Sequence, residues 1–252
     1  MKAMTHIWID VDKIGPLPDA EVWRLARTEY QRMLALLRRL DDAAWSQPTD
    51  CPGWSVRDML GHLVGAAEGF SNPFELLHQY RVGAGLVRDG SAGGTQLVDG
   101  ANAVQVTERA QQPVGELLDR YEAVIGAVLR WRRRLRHVPG RMDDTAGRFT
   151  LRQLFEVILT RDTWMHRLDV ARATGMAFEE TADHDGVILA DAVRDWAGRH
   201  GQSFQLVLSG PGGGYYRRGE RGQELAVSSL EFGRLLSGRG AGEGLLATRI
   251  VF

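Results

Sequence analysis

A chain of 252 residues with 44% hydrophobic content can bury a sizeable core in one large domain or two modest ones, and two are expected. Its 31 basic and 32 acidic residues leave a net charge of −1, which removes any electrostatic reason to expect nucleic acid or an anionic membrane as partner and leaves a small molecule. The single cysteine, Cys51, excludes an intrachain disulfide, and no apolar run approaches the ~18 residues of a membrane span.

The opening stretch "MKAMTHIWIDVDKIG" lacks the apolar centre of a signal peptide, so a cytoplasmic location is expected. Every basic residue but Lys2 and Lys13 is arginine, and with 30 glycines this composition points to a GC-rich, actinobacterial genome. From Asp19 to about Asp41, Trp23, Ala26, Tyr30, Met33, Leu34 and Leu37 recur at helical spacing, which predicts a first amphipathic helix. "QPTDCPGW" breaks it. Ser55 with Asp58 three residues later then forms the signature of a capping box, opening a helix with Met59, His62, Leu63, Ala66 and Phe70 on one face.

Residues 81 to 112 are rich in glycine and polar groups and read as a lid or cavity-lining loop with a short helix near its end. Pro113 opens a third helix to about His137, with Leu117, Tyr121, Val124, Val128 and Trp131 inward; "RWRRRLR" reads as its solvated end. Thr150 and Gln153 cap a fourth helix that stops at Gly175. Four amphipathic helices joined by one long crossover predict an all-α four-helix bundle over residues 1–180. A smaller α+β domain over 181–252 comes next: a helix near 184–199, strands in "SFQLVLSG" and "GQELAVS" with a hairpin turn at "PGGGYYRRG" between them, a short helix capped by Ser228, and a terminal strand in "GLLATRIVF".

The fourth helix holds the chemistry. In its stripe Leu151, Phe155, Ile158, Asp162, Met165, His166 and Asp169, a carboxylate and an imidazole stand at i and i+4 on the face that buries apolar residues. His62 occupies an equivalent inward position on the second helix, and three inward ligands from two helices match a catalytic metal site that keeps one coordination position open. Spacing alone leaves two readings: a metal site, or a hydrogen-bonded polar core. Asp58 and Asp169 are candidates to orient the histidines, Asp58 being equally explained as a helix cap. Trp54 and Trp164 read as core residues, and Cys51 as a small buried apolar one.

The segments "CPGWSVRDMLGHLVG", "RDTWMHRLDVARATG" and "EFGRLLSGRG" together resemble the mycothiol-dependent maleylpyruvate isomerase family of the DinB-like superfamily. That resemblance covers most of the chain. It implies a metal-binding four-helix bundle, a C-terminal domain like those of sterol carriers, and a divalent metal, usually zinc, held by His62, Asp162 and His166. It also implies mycothiol as thiol cofactor, a small-molecule substrate, and an arginine that holds substrate carboxylates, best matched by Arg239 with Arg234 the alternative. The family's acidic ligand is Glu where this chain has Asp162, one methylene shorter. A metal-activated thiolate would add to an alkene and be expelled, giving cis–trans isomerisation, or displace a leaving group, giving S-transfer. Two other classes stay open, a metal enzyme on this scaffold that uses no thiol and a non-catalytic metal- or ligand-binding protein, and under every reading a monomer or homodimer is expected.

Overall fold

The computed structural model describes residues 7–144 and 146–252. The chain is mostly helical with a smaller sheet region and falls into two compact units, one of Ala26–Phe178 and one formed by residues up to Leu25 together with Glu179–Phe252. Among the described residues no helix is long and apolar enough to cross a membrane.

The Ala26–Phe178 unit takes most of α1 (Asp19–Leu37), then α2 (Val56–Gly69), α3 (Pro73–Asp89), α4 (Leu97–Thr107) and α5 (Val114–Leu135). Its core joins Tyr30, Met33 and Leu37 of α1 to Met59, Leu60 and Leu63 of α2, and both to Leu117, Tyr121 and Val128 of α5. All but Leu60 are positions the helical spacing selected. The capping box at α2 is formed as expected: the Asp58 amide donates to Ser55 Oγ at 3.2 Å and the Ser55 amide donates to Asp58 Oδ2 at 2.9 Å.

Two sequence expectations fail here. The segment 81–112 is not a lid loop: α3 runs on to Asp89, capped by left-handed Gly90, and α4, the short helix expected near the segment's end, begins seven residues later, so the two make a helical hairpin. Its glycines misled the reading because two of them serve packing. A methyl group on Gly83 would overlap the backbone of Gly100, and one on Gly100 the backbone of Gly83, so only bare backbone lets α3 and α4 approach this closely. "RWRRRLR" is not wholly solvated either, since Arg132 is completely buried. Beyond what was expected, "RMDD" and "GRFT" form an antiparallel pair, β2 (Arg141–Asp144) and β3 (Gly147–Thr150), ahead of the next helix.

That helix is continuous but not uniform. A single turn, α6 (Leu151–Gln153), leads into a π-helical turn (Leu154–Ile158) and then α7 (Leu159–Thr174), closed by left-handed Gly175. Twelve of the sixteen α7 residues are buried, including Arg161, His166, Arg167 and Asp169.

The other unit carries a four-stranded sheet of order β1-β5-β4-β6. β4 (Phe204–Ser209) and β6 (Gln223–Ser228) pair in parallel, and β5 (Gly214–Arg218) runs antiparallel to β4, so "GYYRR" is a strand where only a turn was expected. β1 (Trp8–Asp10) adds to β5 in parallel, which is why the N-terminal residues group with the C-terminal segment rather than with the helical unit. The expected terminal strand is absent, and Gly244–Ala247 forms a 3-10 turn instead. Trp196 of α8 (Asp185–His200) packs against Phe204 of β4 and Phe232 of α9 (Ser229–Leu236), and its indole N–H donates to the Leu245 carbonyl.

Helix propensity and close packing make opposite claims on the α3 glycines. Gly83→Ala is expected to lower stability by about 1–3 kcal/mol through overpacking against α4. Gly85→Ala, where a methyl meets nothing within 4 Å, is expected to raise it by about 0.5–1 kcal/mol. Urea midpoints of the two variants measure both signs.

Candidate metal centre

α2 and α7 bring His62, Asp162 and His166 together: one ligand atom from each lies within 4.8 Å of the others. Asp162 Oδ1 stands 3.2 Å from His166 Nε2. Two ligand atoms each about 2.0–2.1 Å from a tetrahedral ion stand about 3.3 Å apart, so this pair already has the spacing a zinc ion would impose. The imidazoles of His62 and His166 lie nearly perpendicular, with centroids 5.0 Å apart, and Trp54 stands 4.9 Å from the His62 ring as an aromatic wall that is only partly buried. Two imidazoles and one carboxylate from two helices form a donor set that fits a catalytic divalent metal.

Both histidines are held from behind. His62 Nδ1 lies 2.8 Å from Gln105 Oε1 on α4, so a metal would be taken by Nε2. His166 Nδ1 lies 3.2 Å from Asp169 Oδ2, whose residue is completely buried one turn further along α7. Asp169 thus has the orienting contact considered for it, whereas Asp58 is occupied as the cap of α2. Cys51 is not a plain apolar filler: its thiol donates to Asp169 Oδ2 at 3.6 Å and sits 4.0 Å from His166 Nδ1. Cys51, His166 and Asp169 are thereby a second ligand-type cluster sharing the His166 ring. In the metal-free protein burial disfavours a charged His166, yet the Asp162 carboxylate, with the bonds from Asp169 and Cys51, carries its pKa well above the ordinary imidazole range.

α7 can bury so many polar groups because they satisfy one another. The Arg167 guanidinium donates to both Glu29 carboxylate oxygens, at 2.5 and 3.3 Å, and lies 4.0 Å over the Phe178 ring. Arg132 donates through Nε to the Phe155 carbonyl inside the π turn and through Nη2 to Thr160 Oγ1, at 2.9 and 2.8 Å, so it holds both sides of the turn that leads to Asp162. Burial pulls the Arg132 pKa down while Tyr30 and Asp162 hold it up, and the same burial raises the Tyr30 and Tyr121 phenols. Sequence reasoning missed Gln105 and Arg132, the first because an amide on the short helix expected there carries no signal of its own, the second because it sits in a run of arginines. Arg239 lies half-buried after α9 in the other unit. Trp164 is fully buried against Phe178, as a core residue should be.

Residues 26–171 match the family model described as the mycothiol maleylpyruvate isomerase N-terminal domain. Among solved structures the chain is similar to the crystal structure of the mycothiol-dependent maleylpyruvate isomerase, at 18% identity and a TM-score of 0.56 over 89% of this chain and 91% of that one. It is also similar to a histidine-to-alanine mutant of that isomerase, at 17% identity, a TM-score of 0.55 and the same coverage. No curated protein matches the chain.

Elemental analysis after dialysis is expected to give about one zinc per chain in the wild type and none in His166→Ala, while Asp169→Asn weakens zinc affinity about 10–100-fold. His166 has to give up its proton to bind metal, so zinc uptake releases on the order of one proton per ion and affinity falls as pH drops below the raised His166 pKa. Calorimetric titration in two buffers of different ionisation enthalpy reads that proton directly.

Proposed function

The chain belongs to the mycothiol maleylpyruvate isomerase N-terminal domain family, and from that membership we propose that it is a metal-dependent enzyme which activates mycothiol toward a small electrophile. His62, Asp162 and His166 hold the metal, zinc by the chemistry of the donor set. In this reading α1, α2, α5 and α7 form a DinB-like four-helix bundle with the α3–α4 hairpin as its elaborated crossover, and the C-terminal segment is a sterol-carrier-like domain. The observation that carries the reading is the convergence of these three side chains, from two helices, inside the family-matched segment.

When bound, such an ion stabilises a coordinated thiolate at neutral pH and so supplies the nucleophile. The protein's own residues do the rest. Gln105 and Asp169 hold the two imidazoles in place, and Asp162 adds the negative charge that keeps the divalent centre close to neutral once thiolate is bound. Trp54 shields one flank of the site from water. Arg239 is assigned the substrate carboxylate. Arg234, whose guanidinium donates to Glu231 at 2.7 Å and to the Arg239 carbonyl at 3.1 Å, is the alternative. The reaction class that this family likeness favours is cis–trans isomerisation of an activated alkene by reversible thiol addition; S-transfer is the alternative use of the same nucleophile.

The test is turnover of maleylpyruvate by zinc-loaded protein with and without mycothiol. Mycothiol-dependent isomerisation is expected, abolished in His166→Ala, with KM raised about tenfold or more in Arg239→Ala. Zinc binding with no mycothiol binding would transfer the assignment to a metal enzyme that polarises a substrate oxygen without a thiol. Full metal coordination with no exchangeable position would make the chain a binding protein.

A further inference from the structure

Gln79 and Gln105 are unusual in being buried amides, on two different helices, that bond to each other. Gln79 is completely buried and Gln105 nearly so. The direction of every bond in the chain they form is set by one group whose polarity is fixed. The carbonyl oxygen of Gly65 on α2 can only accept, so the Gln79 atom 2.8 Å from it is the amide nitrogen, which also reaches Glu75 Oε1 at 2.8 Å. The other Gln79 atom is therefore its oxygen, and it accepts from Gln105 Nε2 at 2.8 Å. Gln105 is left with its own oxygen facing His62 Nδ1 at 2.8 Å, and an oxygen there is compatible only with a proton on Nδ1. Glu75 is itself held by Arg109 Nη2 at 3.2 Å, and Arg109 pairs with Glu68 of α2 at 2.5 Å, so the far end of the chain is charged and anchored.

We propose that Gln105, oriented by Gln79, is the positioning residue that fixes His62 in the tautomer with its proton on Nδ1 and its lone pair on Nε2, directed to the ligand cluster. The α3–α4 hairpin is on this account part of the metal centre, since each of its helices supplies one amide of the relay. The groove that admits them is specific. A methyl on Gly65 would stand 2.6 Å from Gln105 Cβ, and one on Gly69 would stand 2.8 Å from Gln79 Oε1, so α2 presents bare backbone at the two places where the glutamines enter. The consequence for metal binding rests on the reading of His62 as a ligand, but the tautomer does not.

The experiment therefore reads both, on the full chain. Nitrogen-15 NMR of metal-free, histidine-labelled protein is expected to show His62 with Nδ1 protonated and Nε2 unprotonated. Cobalt(II) titration, followed by its visible spectrum, then measures affinity. Gln105→Met removes the acceptor, and it is expected to mix the two tautomers and weaken cobalt binding about 10–100-fold. Gln105→Glu keeps an acceptor for Nδ1–H while setting two acceptors, its carboxylate and Gln79 Oε1, against each other. It is expected to lower thermal stability yet keep the tautomer and hold affinity within a few-fold of wild type. His62 protonated on Nε2 in the wild type would overturn the proposal, as would affinities that track thermal stability across the two variants. A wild type that shows the Nδ1–H tautomer but binds no cobalt would support the relay and refute the metal assignment alone.

Discussion

The placement of His62 depends on how near α4 comes to α2. Two helices normally stand apart by the thickness of their side chains, and at ordinary separation a glutamine on one cannot reach both an inward histidine and a second amide. Gly65 and Gly69 remove that thickness along one line of α2, and Gly83 with Gly100 removes it between α3 and α4. Glycine inside a helix costs about 0.5–1 kcal/mol relative to alanine. Four such positions in three neighbouring helices make sense only if the closeness they allow returns more, and the return is a buried polar chain in which the two amides bond to each other, to the Gly65 carbonyl and to His62.

The same requirement governs α7. A helix with buried arginines, a buried aspartate and a buried histidine would be unstable if those groups lacked partners, because each would lose its hydration for nothing. Here Glu29 answers Arg167, Thr160 and the Phe155 carbonyl answer Arg132, and Asp169 answers His166. The acidic and basic partners come from α1, α5 and α7 itself, so the polar interior ties together the helices whose apolar faces also meet. Specificity of packing and placement of the site are in this way one problem with one solution.

Much of this was legible in the sequence. Helical periodicity fixed the inward residues of α1, α2 and α5, and the i, i+4 relation of Asp162 and His166 with an inward His62 named the three side chains that the fold brings together. Glycine was the point of failure. A window holding Gly83, Gly85, Gly90, Gly93, Gly94 and Gly100 has the composition of a loop, yet only some of those residues turn the chain, while others press two helices together; periodicity cannot separate the uses. Gln79 and Gln105 were invisible for another reason, since amides carry no signal until the packing of their helices is known. β1 was missed because three residues are too few to show alternation, and β5 because its aromatic pair is preceded by glycines that read as a turn.

The π turn at Leu154–Ile158 gives the chain a phase adjuster. Each residue added to a helix rotates the residues beyond it by about 100°, and a π turn accommodates one residue more than the regular helix around it. Loss of a single residue there would leave a smooth α-helix, with the spacing of Asp162, His166 and Asp169 intact and that whole group still facing as it does now, because the π turn already absorbs the rotation the extra residue would otherwise add. Relatives with a regular helix at this point would therefore align with a one-residue gap inside 154–158. Insertions and deletions, usually confined to loops, have at this one place a site in the middle of a helix.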